Sequence, residues 1–342
     1  MSADDVLETI DISSYLNPQA PGDKERVITQ VRGACRRHGF FQVKGHGVPL
    51  VTQRRVIESC QKLFSLPKEE KLNLSFLKNV VRRGYEQSGD SLRDGDLFPD
   101  SKESFFVGRE EPAVEDPGWH GPNVWPDTEV LPEDEFRGPV WEYYEATNRL
   151  GRTIWKILLQ GLGYQSPDDV MARFTKKPVV TLKLIRTPPA QTPTRNTAQL
   201  TQFGTGPHTD FSGVTCLLQQ PGRDGLEIWS EEKGGWVLVP AVEDVFVINV
   251  GDLIDKWSGG EYKSVKHRAI NKSDGERISC ATFWLGDVHI TNPLNLGSDP
   301  DEETVGEQLY KRFRKQYGLW GVMDPLDYSL AAKDAKVTCT VQ

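Results

Sequence analysis

The feature that most constrains this 342-residue chain is a change of texture at about residue 178. Before it, apolar residues recur every three or four positions. After it, the chain breaks into short runs rich in Val, Ile, Thr, Phe and Trp, punctuated by Gly, Pro, Asn and Asp. The first spacing gives a helix one apolar face, and the second gives paired strands joined by turns. The expected fold class is therefore α+β, with helices laid against a sandwich or barrel of strands.

In the first half, Val27, Ile28, Val31, Ala34 and Cys35 share one face of a helix predicted over 23–38, and Gly39 is placed to end it. Residues 40–43 (FFQV) read as a buried strand. A second amphipathic helix is expected over 51–64, through Val56, Ile57, Cys60 and Leu63, and stops before Pro67. The polar stretch 78–101 reads as loop, and 133–163 as one long helix carrying Tyr143, Leu150, Ile154 and Leu158. Strands are expected near 179–187, 208–219, 226–230, 236–239, 245–250, 264–270 and 277–286, with a final helix near 302–317 against them. The Pro/Thr/Gln-rich segment 188–206 reads as a loop ahead of the second of these strands. Four segments follow: an N-terminal region of helices and first strands packed on the core (1–125), the long-helix region (126–177), the β core (178–290) and a C-terminal helix and tail (291–342).

Net charge of -8 argues against nucleic acid as a partner, because phosphate binding needs clustered Lys and Arg. The five cysteines are scattered, odd in number and form no CxxC pair, which suits reduced thiols. The start MSADDVLETIDISSYL is acidic where a secretory signal is basic, and no apolar run approaches the roughly 20 residues of a membrane span. A cytoplasmic protein without membrane association is expected, as a monomer or weak homodimer acting on a small molecule.

Pro207-His208-Thr209-Asp210 opens a strand pattern, where alternation would send His208 and Asp210 to one face. Of the other histidines, His267 is best placed to join them, in the strand-like run 262–270. Two His and one carboxylate leave three positions open on a metal, the arrangement for Fe(II) that binds a bidentate cosubstrate and O2. Structural zinc sites fill the shell with Cys and His instead. Ten residues on, Arg277 and Ser279 again share a strand face, and a guanidinium with a neighbouring hydroxyl suits a carboxylate such as the distal one of 2-oxoglutarate. Bland readings cover the rest. His38, His46, His120 and His289 read as surface or packing residues, and Asp252 as turn chemistry after Gly251. Lys183 shares a face with Thr181, Ile185 and Thr187 that should look into the barrel, where it either contacts substrate or pairs with an acidic neighbour. Phe283 should face the same cavity, Trp257 either covers it or closes a turn, and Phe211, offset by one from the ligands, should pack outside it.

At these residues the chain resembles the 2-oxoglutarate/Fe(II)-dependent dioxygenase superfamily, in the branch of isopenicillin N synthase, and is similar in flavour to fungal natural-product oxygenases. The resemblance runs through ACRRHGFFQVKGHGVP (34–49), Gly84-Tyr85, Lys102-Glu103, the stretch 123–126, HTDFSGVTCLLQQ (208–220), GLEIW (225–229), NVGDLI (249–254), YKSVKHRAI (262–270) and RIS (277–279). It implies a double-stranded β-helix (jelly-roll) core, Fe(II) on His208, Asp210 and His267, and 2-oxoglutarate on Arg277 and Ser279. Where many relatives carry Asn and Tyr on the strand before the first ligand, this chain has Ile185 and Thr187, so Thr187 is the remaining polar candidate for the cosubstrate. The implied reaction is oxidation of a C–H bond of a small natural product, by hydroxylation, desaturation, ring closure or ring expansion, with release of succinate and CO2. Two alternatives stay open: an oxidase of the isopenicillin N synthase kind that needs no 2-oxoglutarate, and an inactive jelly-roll binding module.

Overall fold

The structure is a computed structural model that describes residues 7–79, 81–89, 100–112, 119–189, 203–294 and 302–317. Its elements follow in chain order. The first half holds β1 (Thr9–Asp11), α1 (Ser13–Leu16), α2 (Asp23–Arg37), β2 (Phe40–Lys44), α3 (Leu50–Ser65), α4 (Lys68–Asn73), β3 (Gly84–Glu86), β4 (Glu103–Gly108), α5 (Arg137–Gly161) and α6 (Pro167–Phe174). The second half holds β5 (Pro178–Thr187), β6 (Thr205–His208), β7 (Val214–Gln219), β8 (Leu226–Ser230), β9 (Gly235–Val239), β10 (Phe246–Val250), α7 (Asp252–Trp257), β11 (His267–Ala269), β12 (Arg277–Asp287) and α8 (Val305–Tyr317).

The strands form a major sheet of eight, in the order β1-β2-β10-β7-β12-β5-β4-β3, and a minor sheet of four, β6-β11-β8-β9. The first-half strands are thus built into the core sheet, with β2 on β10 at one side and β4 on β5 at the other. Alternation divides the major sheet cleanly. Leu182, Leu184, Cys216, Leu218, Ile278 and Cys280 face the helices and are buried in one large core with α2, α3 and α5. Between the sheets a smaller cluster of Phe40, Leu226, Ile228, Val239 and Val247 fills one end of the barrel and leaves the rest as cavity.

The helix ends have local causes. Gly39 ends α2 with φ +62, and a Cβ there would lie 2.0 Å from the Lys263 carbonyl oxygen, so both conformation and space require glycine. Several elements depart from expectation. The 78–101 stretch contains β3, and the Lys102-Glu103 motif opens β4, because Glu103 ties three elements together: it accepts from Lys71 at 2.8 Å, Tyr85 Oη at 2.5 Å and Arg186 at 2.5 Å. Short elements such as β1, α4 and α6 carry too few residues to show a period. The expected 208–219 strand is two strands, β6 and β7, separated by a turn. Most of the 188–206 loop and the tail beyond 317, with Cys339, lie outside the described residues. Among the described residues, no helix is long and apolar enough to cross a membrane.

Candidate active site

Because β6 ends at His208, Asp210 sits in the following turn, and strand alternation is not what aligns the two. The turn is held from outside. The Asp252 amide donates to the Asp210 carbonyl at 2.8 Å, the Gly251 amide to Gly213 at 3.0 Å and the Leu253 amide to Ser212 at 3.3 Å. Residues 251–253 thus receive residues 210–213, and Gly251 is small for that reason: a Cβ there would lie 2.1 Å from the Ser212 oxygen and 2.7 Å from the Asp210 oxygen. Asp252 is the first residue of α7 rather than a turn residue. Its carboxylate accepts from Thr209 at 3.1 Å, Ser264 at 2.6 Å and Arg312 at 2.6 Å.

On this support His208, Asp210 and His267 come together, with one ligand atom from each lying within 4.8 Å of the others. β11 and β6 pair so that His267 stands opposite His208. Both imidazoles turn Nε2 toward one oxygen, Asp210 Oδ1, at 3.6 Å for His208 and 3.5 Å for His267. Their Nδ1 atoms face backbone carbonyls, of Gly206 at 2.8 Å and Val265 at 3.2 Å. A carbonyl only accepts, so each Nδ1 carries the proton and each Nε2 offers a lone pair. Asp210 Oδ2 is occupied by Thr215 Oγ1 at 2.7 Å and Asn249 Nδ2 at 2.8 Å, which leaves Oδ1 for the imidazoles. Two nitrogen lone pairs and a carboxylate oxygen converging on one point form a donor set completed by a cation, with the ring orientation fixed from behind.

Two cavities meet at this triad, and His208, Asp210, Ile185, Thr205 and Phe283 line both. The smaller also holds His267, Thr187, Arg277 and Ser279. Strand register explains the grouping: on the β5–β12 ribbon Arg277 pairs with Thr187, Ser279 with Ile185, Ala281 with Lys183 and Phe283 with Thr181. Arg277 is 2 % exposed and forms no ion pair among the described residues. Its Nη2 donates to Gln219 at 2.8 Å, Nε to the Arg223 carbonyl at 3.2 Å and Nη1 to Ser279 Oγ at 3.3 Å, and burial, opposed by Asp224, pulls it down to about 10. Thr187 Oγ1 is buried without a hydrogen-bond partner among the described residues. A buried guanidinium whose hydrogen-bond acceptors are all neutral and an orphaned hydroxyl fit a carboxylate from outside the chain.

The larger cavity encloses about 1220 Å³ with its open mouth and is walled by Phe76, Phe106, Trp119, Phe211 and Phe283, with Leu309 of α8. Lys183 lines it as β5 alternation requires, and pairs with Glu86 Oε2 at 2.9 Å. Burial, partly offset by Glu86, lowers its pKa to about 8. The pairing with an acidic neighbour is therefore present, on a carboxylate from β3 that the loop reading of 78–101 hid. Two expectations fail here. Phe211 lines the cavity because the turn at 209–213 has no strand alternation to send it outward. Trp257 does neither of the things expected of it: on α7 it is buried between Trp155 and Phe174, with ring centroids at 6.1 and 6.2 Å, and is a core residue. The residues that reasoning from sequence missed are Asn249, Gly251 and Thr215; the NVGDLI motif held the signal for the first two. His46 is structural, with Nδ1 accepting from the Val48 amide at 3.1 Å.

The fold and this donor set define a mononuclear non-haem metal oxygenase class. Comparison with known proteins agrees: residues 7–128 match the family described as "non-haem dioxygenase in morphine synthesis N-terminal", and residues 177–286 match the 2OG-Fe(II) oxygenase superfamily. The chain belongs to the 2OG-Fe(II) oxygenase superfamily. It is 58% identical to 2-oxoglutarate-dependent dioxygenase thnC of Trichoderma harzianum over 93% of this chain and 97% of that one. It is 45% identical to caaD of Aspergillus niger, over 92% and 94%. In fold it is similar to a full-length Neurospora crassa protein whose crystal structure holds alpha-KG and thymine, at a TM-score of 0.75 and 23% identity over 91% of this chain and 98% of that one. The chain is accordingly an oxidoreductase that uses Fe(II), 2-oxoglutarate and O2 on a small-molecule substrate.

Proposed function

We propose that His208, Asp210 and His267 hold the Fe(II), that Arg277, Ser279 and Thr187 seat the distal carboxylate of 2-oxoglutarate, and that the larger cavity takes a small, partly aromatic or polycyclic natural product. The observation that carries this reading is the convergence of both Nε2 atoms on Asp210 Oδ1 at the junction of the two cavities. Bound there, Fe(II) and 2-oxoglutarate supply O2 activation coupled to formation of succinate and CO2. The chain's own groups do the rest. The Nδ1 contacts fix ring orientation, while Thr215 and Asn249 stop the Asp210 carboxylate from rotating. Arg277 presents a planar fork to a carboxylate from the floor of the smaller cavity, and the aromatic walls of the larger one exclude water from the substrate's reacting carbon. The acidic charge balance and four buried free thiols support a cytoplasmic protein that does not bind nucleic acid.

The test is succinate formation from 2-oxoglutarate by the Fe(II)-loaded protein in air, measured against a panel of aromatic and polycyclic metabolites. Slow succinate release that accelerates with one metabolite, matched by its loss, is the expected result. O2 uptake and metabolite loss without succinate would overturn the assignment of the smaller cavity to 2-oxoglutarate.

A further inference from the structure

Among the described residues, one cation lining the larger cavity, Arg83, has no ion-pair partner. Lys183 pairs with Glu86 at 2.9 Å, Lys102 with Asp100 at 2.7 Å and Arg312 with Asp252 at 2.6 Å. Arg83, on the same wall just ahead of β3, is 5 % exposed and forms no ion pair among the described residues. Its Nη2 donates to the Trp119 carbonyl at 3.2 Å, and its Nε is buried with no acceptor among the described residues. The carboxylate that bears on it electrostatically, Glu110, is already engaged: Oε1 accepts from the Asn123 amide at 3.0 Å, and Oε2 from Asn123 Nδ2 at 2.9 Å and Trp125 Nε1 at 3.1 Å. The guanidinium lies against the backbone of Gly108, where a Cβ would stand 2.0 Å from Nη2.

A buried cation without a partner costs stability, and hydrophobic replacement is the cheaper structural solution. The same group in a binding cavity is a fork for a planar anion. We propose that Arg83 is the seat of a delocalised oxyanion, a carboxylate or an ionised enol or phenol, carried by the primary substrate. The substrate is then a monoanion with an apolar ring body. The anion lies at the Arg83 wall and the ring against Phe106 and Phe283, which fixes the carbon presented to the triad. This rests on the assignment of the larger cavity to the primary substrate.

The probe pair is 2-naphthoate and its methyl ester, titrated by calorimetry into protein saturated with Mn(II) and 2-oxoglutarate, so that Arg277 is already filled. The expected result is at least tenfold tighter binding of the acid. Arg83→Met should abolish that preference, and Arg83→Lys should keep part of it. Mn(II) and 2-oxoglutarate affinity should stay unchanged in both. Without probe, Arg83→Met should melt at the wild-type temperature or above, whereas a residue kept for structure would lower it. Equal binding of acid and ester, no binding of the acid at all, or a preference that survives Arg83→Met each overturns the proposal. Failure of the wild-type protein to bind Mn(II) or 2-oxoglutarate would instead sink the site assignment beneath it.

Discussion

The β5–β12 ribbon and the 208–213 turn both supply the active site, but they place side chains by different means. On the ribbon, alternation and register do it: every second residue from Thr181 to Thr187 and from Arg277 to Phe283 looks into a cavity, and the residues between them are in the helix-covered core or paired along the edge. In the turn nothing is periodic. Asp210 is where it is because Gly251, Asp252, Leu253, Asn249 and Thr215 bond its backbone neighbours and its carboxylate. The lesson is that the proposed cosubstrate end of the site depends on local strand geometry, and the proposed metal end mostly on contacts between segments about forty residues apart in sequence.

The sharpest way to break the turn without touching a ligand is Gly251→Val. Added carbons would meet two backbone carbonyls that cannot step aside, so we expect loss of metal binding together with more than about 3 kcal/mol of stability, read by metal titration and denaturant unfolding. Wild-type metal affinity in this variant would mean that the turn holds itself. On the ribbon, Lys183→Met takes from buried Glu86 the nearest cation among the described residues, with Lys102 at 3.9 Å as partial compensation. A loss of about 3 kcal/mol is expected, most of it returned by the double change with Glu86→Gln. If the single variant is as stable as wild type, the pair is not what justifies a lysine on this wall.

That contrast also measures what the sequence disclosed. The ribbon was legible residue by residue, because its runs are long enough to show period 2 and both faces are buried: Thr181, Lys183, Ile185, Thr187, Arg277, Ser279 and Phe283 all lie where alternation puts them. The triad was legible for a different reason than the one given. His208 and Asp210 meet His267, yet through a turn, and the same wrong strand sent Phe211 to the outside. Trp257 was read as covering the pocket or closing a turn because six residues of helix give no period to see, and the partner of Lys183 was hidden on a three-residue strand.

Asn249→Leu tests the turn more gently, since it removes one of two donors to Asp210 Oδ2 and keeps the strand. Metal affinity should fall about 10- to 100-fold with the fold intact; an unchanged affinity would assign the carboxylate's orientation to Thr215 alone. The smallest effect belongs to Thr187→Val. Its hydroxyl has no partner among the described residues, so stability should hold or rise slightly, while KM for 2-oxoglutarate rises about fivefold, the worth of one hydrogen bond. An unmoved KM would remove Thr187 from the cosubstrate site.

The division of labour between the two regions is tested most directly by anaerobic titration of 2-oxoglutarate into Fe(II)-treated wild type, Asp210→Ala and Arg277→Met, following the weak visible absorption of the metal chelate. The structure predicts that the band forms in wild type and is absent in Asp210→Ala at any concentration. In Arg277→Met it should appear at full height but only at tenfold or more higher 2-oxoglutarate, because the metal end is intact and the anion seat is gone. A wild-type titration in Arg277→Met, or a normal band in Asp210→Ala, would contradict the account.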